Sequence, residues 1–170
     1  MEMKILNNNI VKIIFILLLL IMSATAFAEE TFQPVKITSK RMEVVKDKNL
    51  IVFAGDVVAA TTDMTILADE LHIYYDDGGK EVRKMVATGS VRIKQEQGTA
   101  TAERAEYNKV EERIILTGNP KFKECRNVVE GEKITVYLRE EKSVVEGSDG
   151  NRVKAVLFPD SEGDGGRGCP

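Results

Sequence analysis

Three short segments share one pattern: Phe53-Ala54-Gly55-Asp56-Val57, Ala87-Thr88-Gly89-Ser90-Val91 and Leu116-Thr117-Gly118-Asn119-Pro120. Around each glycine the residues of one parity are apolar. The first copy has Ile51, Phe53, Val57 and Ala59; the second has Met85, Ala87, Val91 and Ile93; the third has Ile114, Leu116, Pro120 and Phe122. The other parity is polar, as in Lys84, Thr88, Ser90, Arg92 and Lys94 of the second copy. Side chains alternate across a β-strand, so this period-2 pattern predicts strands with one face toward an interior.

A second block follows 13 residues after each glycine, at Ala68-Asp69-Glu70-Leu71-His72-Ile73-Tyr74, Ala102-Glu103-Arg104-Ala105-Glu106-Tyr107 and Gly131-Glu132-Lys133-Ile134-Thr135-Val136-Tyr137. An unpaired copy, Ser39-Lys40-Arg41-Met42-Glu43-Val44, precedes them. From the small residue of a second block to the next glycine the distance is 16 residues in three cases, from Ser39, Ala102 and Gly131. It is 21 from Ala68, where Asp76-Asp77-Gly78-Gly79-Lys80 reads as an inserted surface turn. Such recurrence marks an internal repeat.

Apolar parity flips inside the second blocks: Ile66 and Ala68 have one phase, Leu71 and Ile73 the other, and Ala100 and Ala102 against Ala105 and Tyr107 repeat the slip. A flip at a small residue predicts a bulge or corner, so each repeat folds over like a V with one apolar inner surface. Polar turn signals between β-branched runs predict short antiparallel strands, and nothing after residue 30 sustains a helical period. The expected fold is all-β: a twisted β-jellyroll, or solenoid-like stack of V-shaped antiparallel strands. Its end strands, near residues 35–45, 144–147 and 152–158, keep unpaired backbone groups, which are an aggregation hazard or a docking device.

The 170 residues, 43% hydrophobic and 30% charged, suit one soluble domain, two at most. One histidine, His72, and two cysteines, Cys125 and Cys169, leave too few ligands for a multi-His or zinc centre, and a Ser-His-Asp hydrolase would rest on His72 alone. His72 lies opposite the apolar parity and reads as an exposed or edge side chain. Asp69, Glu70, Glu103 and Glu106 recur by repeat and read as solvated faces. Neither enzyme, metal nor cofactor is expected. Lys4 and Lys12, the apolar run from Ile13 to Met22 and Ala26-x-Ala28 predict a signal peptide over 1–28, cleaved after Ala28, with a domain over 29–159 and a disordered Gly-rich tail over 160–170. Removing that leader takes the net charge from −3 to −4, so bulk charge recruits no nucleic acid. Export permits disulfides; Cys125, placed at a turn, could pair with Cys169, link to another chain or stay free.

These motifs, in this order from about Ile37 to Gly147, resemble the OstA-like family of periplasmic lipopolysaccharide-transport proteins. The resemblance implies a carrier or bridge moving lipopolysaccharide from the inner to the outer membrane, its lipid A acyl chains shielded in an apolar β-groove. It implies LptC-like and LptD-like partners joined by edge-strand augmentation, and admits head-to-tail self-association. The runner-up readings are an LptC-like membrane-anchored subunit and a secreted, non-carrier β-repeat structural protein. The candidate lipid-binding groove takes the inner parity: Met42 and Val44; Ile51, Phe53 and Val57; Ile66, Leu71 and Ile73; Met85, Val91 and Ile93; Tyr107, Ile114, Leu116 and Phe122; Ile134 and Val136. Position by position, plain core is the commoner role for such aliphatics. Ile37, Val44, Val144 and Val145 are the candidate partner edges. Arg83, Lys84, Arg92 and Lys94 read first as a solvated sheet face, with phosphate groups as the alternative.

Overall fold

The structure is a computed structural model that describes residues 34–158. The expected leader over 1–28, the cleavage point, the tail over 160–170 and Cys169 lie outside the described residues. Among the described residues there are twelve strands: β1 (Lys36–Thr38), β2 (Arg41–Val45), β3 (Leu50–Ala60), β4 (Met64–Tyr75), β5 (Val82–Gln95), β6 (Gly98–Asn108), β7 (Arg113–Thr117), β8 (Lys121–Glu124), β9 (Asn127–Glu130), β10 (Lys133–Tyr137), β11 (Lys142–Glu146) and β12 (Lys154–Val156). The one helical element among the described residues is a 3-10 turn, Lys46–Lys48. All strands join one antiparallel sheet, ordered β1-β3-β4-β5-β6-β7-β10-β11, with β2 on β3, β8 between β6 and β9, and β12 on β9. This is the β-jellyroll-like, non-closed architecture expected from the parity pattern.

The glycine blocks are its corners. Gly55, Gly89 and Gly118 have φ of +81°, +77° and +77°, and Asp56, Ser90 and Asn119 after them are left-handed too. Register jumps from Ala54↔Glu70 to Val57↔Ala68, and from Thr88↔Arg104 to Val91↔Ala102. Two residues on the glycine strand therefore oppose one on its neighbour, Asp69 or Glu103. An insertion of two keeps parity and an insertion of one flips it. That is why the glycine strands keep their apolar phase and the second blocks lose theirs. A Cβ on Gly89 would lie 2.1 Å from Asp69 Oδ2, and one on Gly118 would lie 2.5 Å from Glu103 Cβ. Bare backbone is needed at both for the neighbouring layer to approach.

Each strand path bends at this corner into two arms. Arm A stacks β2, the first half of β3, the second half of β4, the first half of β5, the second half of β6, β7, β10 and β11. Arm B stacks β1, the remaining halves of β3 to β6, β8, β9 and β12. The end layers obey the same geometry, which corrects the expectation of a single first ribbon over 35–45. It breaks at Ser39-Lys40 because the Lys40 N–H donates to the Gly55 carbonyl (2.9 Å) and its stem packs on Gly55. The fourth corner departs from the others: Gly147 is not left-handed, and reciprocal backbone bonds between Ser148 and Asn151 close a small turn there.

Inner residues of both arms meet in one cluster built on Val57, Ala59, Ala68, Leu71, Ile73, Ala87, Val91, Ala102, Ala105, Leu116 and Ile134. Fully burying an aliphatic side chain of this kind contributes about 1.5–3 kcal/mol, so this seam between the arms dominates stability. The insertion at 76–80 is a surface turn, as expected, and the Asp76 carboxylate accepts the N–H groups of Lys80 and Glu81. Cys125 is exposed in the β8–β9 turn and is disulfide-bonded, which excludes the free thiol. Beside it, Asn127 Oδ1 accepts the Phe158 N–H (2.9 Å) and the Arg126 guanidinium lies over the Phe158 ring.

Candidate functional site

The register turns the inner parity into rows that cross the whole stack. One row of arm A runs Met42, Phe53, Leu71, Ala87, Ala105, Leu116, Ile134, Val145. The next runs Val44, Ile51, Ile73, Met85, Tyr107, Ile114, Val136 and ends on Ser143. Arm B answers with Ile37, Ala59, Ile66, Ile93, Ala100, Phe122, Val129 and Ala155. Every candidate groove residue falls on this inner surface. Ile51, Phe53, Ile66, Met85, Ile93, Tyr107, Ile114 and Val136 are half-buried, whereas Val57, Leu71, Ile73, Val91, Leu116 and Ile134 are buried. Met42 (56% exposed) and Val44 (52%) stand open at the first layer, and Val156, Leu157 and Phe158 at the last.

Sequence reasoning missed part of this surface. It omitted Ala59, Ala100, Val129 and Ala155 from the groove because alanine gives a weak apolar signal and β9 and β12 are short. It also missed Val86 and Thr135, buried on the opposite, outer face. Both sit in an outer row with Val52, His72, Glu106, Ile115 and Val144. Stems of neighbouring long side chains such as Lys84 and Arg104 can cover such residues while their charges stay in water. His72 is on this row in a central strand, half-buried, its Nε2 3.2 Å from Glu70 Oε2, which corrects the edge placement. Glu106 meets Arg104 (2.7 Å) and Lys84 (3.3 Å). Burial pushes its carboxyl up, but the hydrogen bonds and charges of Arg104 and Lys84 outweigh that and hold it below its ordinary value.

The end strands expose backbone donors in a definite pattern. The Tyr75 N–H bonds the Asn49 carbonyl. Strand groups alternate sides, so Ile51 and Phe53 face β4, Leu50, Val52 and Ala54 face β2, and the N–H of Val44 points outward. The bond from the Leu138 N–H to the Glu112 carbonyl fixes β10 and β11 likewise: Val145 points outward, and Val144 turns inward to β10. The bond from the Thr61 N–H to the Met64 carbonyl makes Ile37 an outward donor as well. Among the described residues, three of the four candidate edge residues thus offer a free N–H, and Val144 does not.

Among the described residues, two of the clefts open to solvent lie away from the inner rows. One, of about 550 Å³, lies at the rim of arm A among the turns holding Lys48, Asp77 and Glu111. The other, of about 250 Å³, lies at the last corner by Gly131 and Asn151. Neither is lined by the central inner residues, whose arms are packed together.

A family model described as LptA/(LptD N-terminal domain) LPS transport protein matches residues 36–142. The chain belongs to this family. Among its curated relatives, the lipopolysaccharide export system protein LptA of Escherichia coli (strain K12) is 29% identical over 149 residues, covering 83% of this chain and 80% of that one. LptA of Haemophilus influenzae is 26% identical over 167 residues, covering 92% and 95%. Among solved structures, LptH, the LptA homologous periplasmic component of the lipopolysaccharide transport device from Pseudomonas aeruginosa, superimposes with a TM-score of 0.66 at 19% identity, covering 75% of this chain and 96% of that one. That likeness shows the shared fold. The family match spans β1 to the start of β11 and so includes all three left-handed glycine corners. These relatives are named for export or transport, and none for a chemical reaction.

Proposed function

We propose that this chain is a periplasmic carrier that moves lipopolysaccharide from the inner toward the outer membrane, its acyl chains shielded between the two arms. The observation that carries this reading is the continuity of the inner rows from one open end of the stack to the other. Each methylene kept from water is worth about 0.8 kcal/mol, so a carrier needs an apolar lane without gaps. The arms pack against each other along that lane, so loading exchanges arm–arm contact for arm–acyl contact. Both states bury apolar surface, which keeps the exchange shallow, and the left-handed corners are where the spread would be taken up. The candidate groove residues, Met42 through Val136, are the proposed acyl contacts.

The end strands are the proposed joints to LptC-like and LptD-like modules, and to further copies of this chain. Each arm has eight strand levels, all antiparallel, so its first and last strands run in opposite directions. A following module whose first strand runs as β2 does meets β11 in antiparallel sense, and the lane continues across the joint. The test is retention: the purified protein, processed by the cell, should co-elute with labelled lipopolysaccharide, and polar substitution at Ile93 together with Leu116 should release it. Failure of the well-folded wild type to retain any label would contradict the carrier role.

A further inference from the structure

The outer faces of the two arms differ in charge organisation. On arm A most outer cations are matched: Lys84 and Arg104 share Glu106, Lys133 meets Glu146, and Arg41 meets Glu43, while Lys142 lies over the Tyr137 ring. On arm B, Lys121 meets Glu130, but among the described residues Arg92, Lys94 and Lys123 have no carboxylate within ion-pair range. The register sets these side chains in a lattice: Arg92, Thr101 and Lys121 form one row, and Lys94, Thr99 and Lys123 the next. Neighbouring strands are about 4.8 Å apart and alternate residues roughly 6.8 Å apart, so the four cations mark a rectangle of about 7 by 10 Å with hydroxyls between them. All four cations are exposed. The second row lies one residue pair below the rim formed by the β5–β6 turn at Glu96-Gln97 and the β8–β9 turn at Cys125-Arg126.

We infer that this lattice is a subsite for the phosphate-bearing saccharide of the amphiphile whose acyl chains lie between the arms, an inference that rests on the carrier reading above. Acyl chains inside leave the sugars at the mouth, and the rim of arm B is one of its two lips. A saccharide folding over that lip meets Arg92, Lys94 and Lys123 with no carboxylate in ion-pair range, Lys121 alone being shared with Glu130, and threonine hydroxyls that can donate to phosphate oxygens. The chain as a whole has a net charge of −3, so the attraction is local to this patch.

The test uses the full chain as the cell processes it, with two probes: fully deacylated lipopolysaccharide, before and after removal of its phosphates, and a neutral-headed fluorescent acyl amphiphile. Lys94→Glu with Lys123→Glu should weaken binding of the phosphorylated saccharide by at least about tenfold. Acyl-probe uptake and the melting curve should hold, Lys94→Arg with Lys123→Arg should keep saccharide binding, and Arg104→Ala on arm A should leave it unaltered. Dephosphorylated saccharide should not distinguish wild type from the Glu variant. Saccharide binding indifferent to the Glu variant, with acyl uptake intact, overturns the lattice alone; a wild type that takes up no acyl probe overturns the carrier reading beneath it. Binding of anionic vesicles, but not of the saccharide, abolished by the same substitutions would overturn the proposal in favour of a membrane surface.

Discussion

Gly89 and Gly118 hold their places for two reasons that can be separated experimentally. Their left-handed φ costs an L-residue about 1–2 kcal/mol, and a Cβ would also strike Asp69 or Glu103. Gly79 has a similar φ, +66°, but nothing within 4 Å of a Cβ. Gly79→Ala should therefore cost about 1 kcal/mol, and Gly89→Ala or Gly118→Ala more than about 2 kcal/mol, in denaturant titrations. Equal losses at all three sites would mean that the close approach contributes nothing. Glu106 gives a pH signature. Its folded pKa is depressed, so its contribution is present above the ordinary value of 4.5 and is lost as pH falls through the lower folded value. Melting curves across that acid range should fall less steeply for Glu106→Gln than for wild type. The glycine spacing was plain in the sequence. The second left-handed residue at each corner was not, because Asp56, Ser90 and Asn119 adopt that φ only when the adjoining layer demands it.

Strands and corners were the most legible features, because a two-residue period and a fixed 13-residue offset are written directly in side-chain chemistry. The terminal strands were read less well. A five-residue strand such as β2 has too few alternations to reveal that β1 belongs to the other arm, and Gly147 fits the spacing without forming the same corner. Which edge groups are free is a ladder property that parity alone does not give; it separates Val145 from Val144. Proline at Val44 or Val145 removes an outward N–H and leaves the inward bonds of β2 and β11 in place. Pull-down of neighbouring modules should weaken by about tenfold or more while the melting temperature barely moves. Melts that collapse while pull-down survives would place those strands in the folding core rather than at a joint.

At the scale of the whole stack, the inner surface was legible as a set of residues, but its state was not. Periodicity says which side chains face inward; it is silent on whether the two arms touch each other or hold a gap. They touch, in one contiguous cluster, and the open clefts lie at the rim and at a corner instead. On the carrier reading proposed above, transport is a matter of parting a seam. That claim is open to direct measurement in cells, with photo-crosslinking side chains placed singly at Phe53, Ile93 and Phe122 on the inner face, and at Val52 and Ile115 on the outer face of arm A. The account predicts adducts with lipopolysaccharide at the three inner positions and none at the outer two. Silence at all three inner positions, in protein that folds and reaches its compartment, would contradict it.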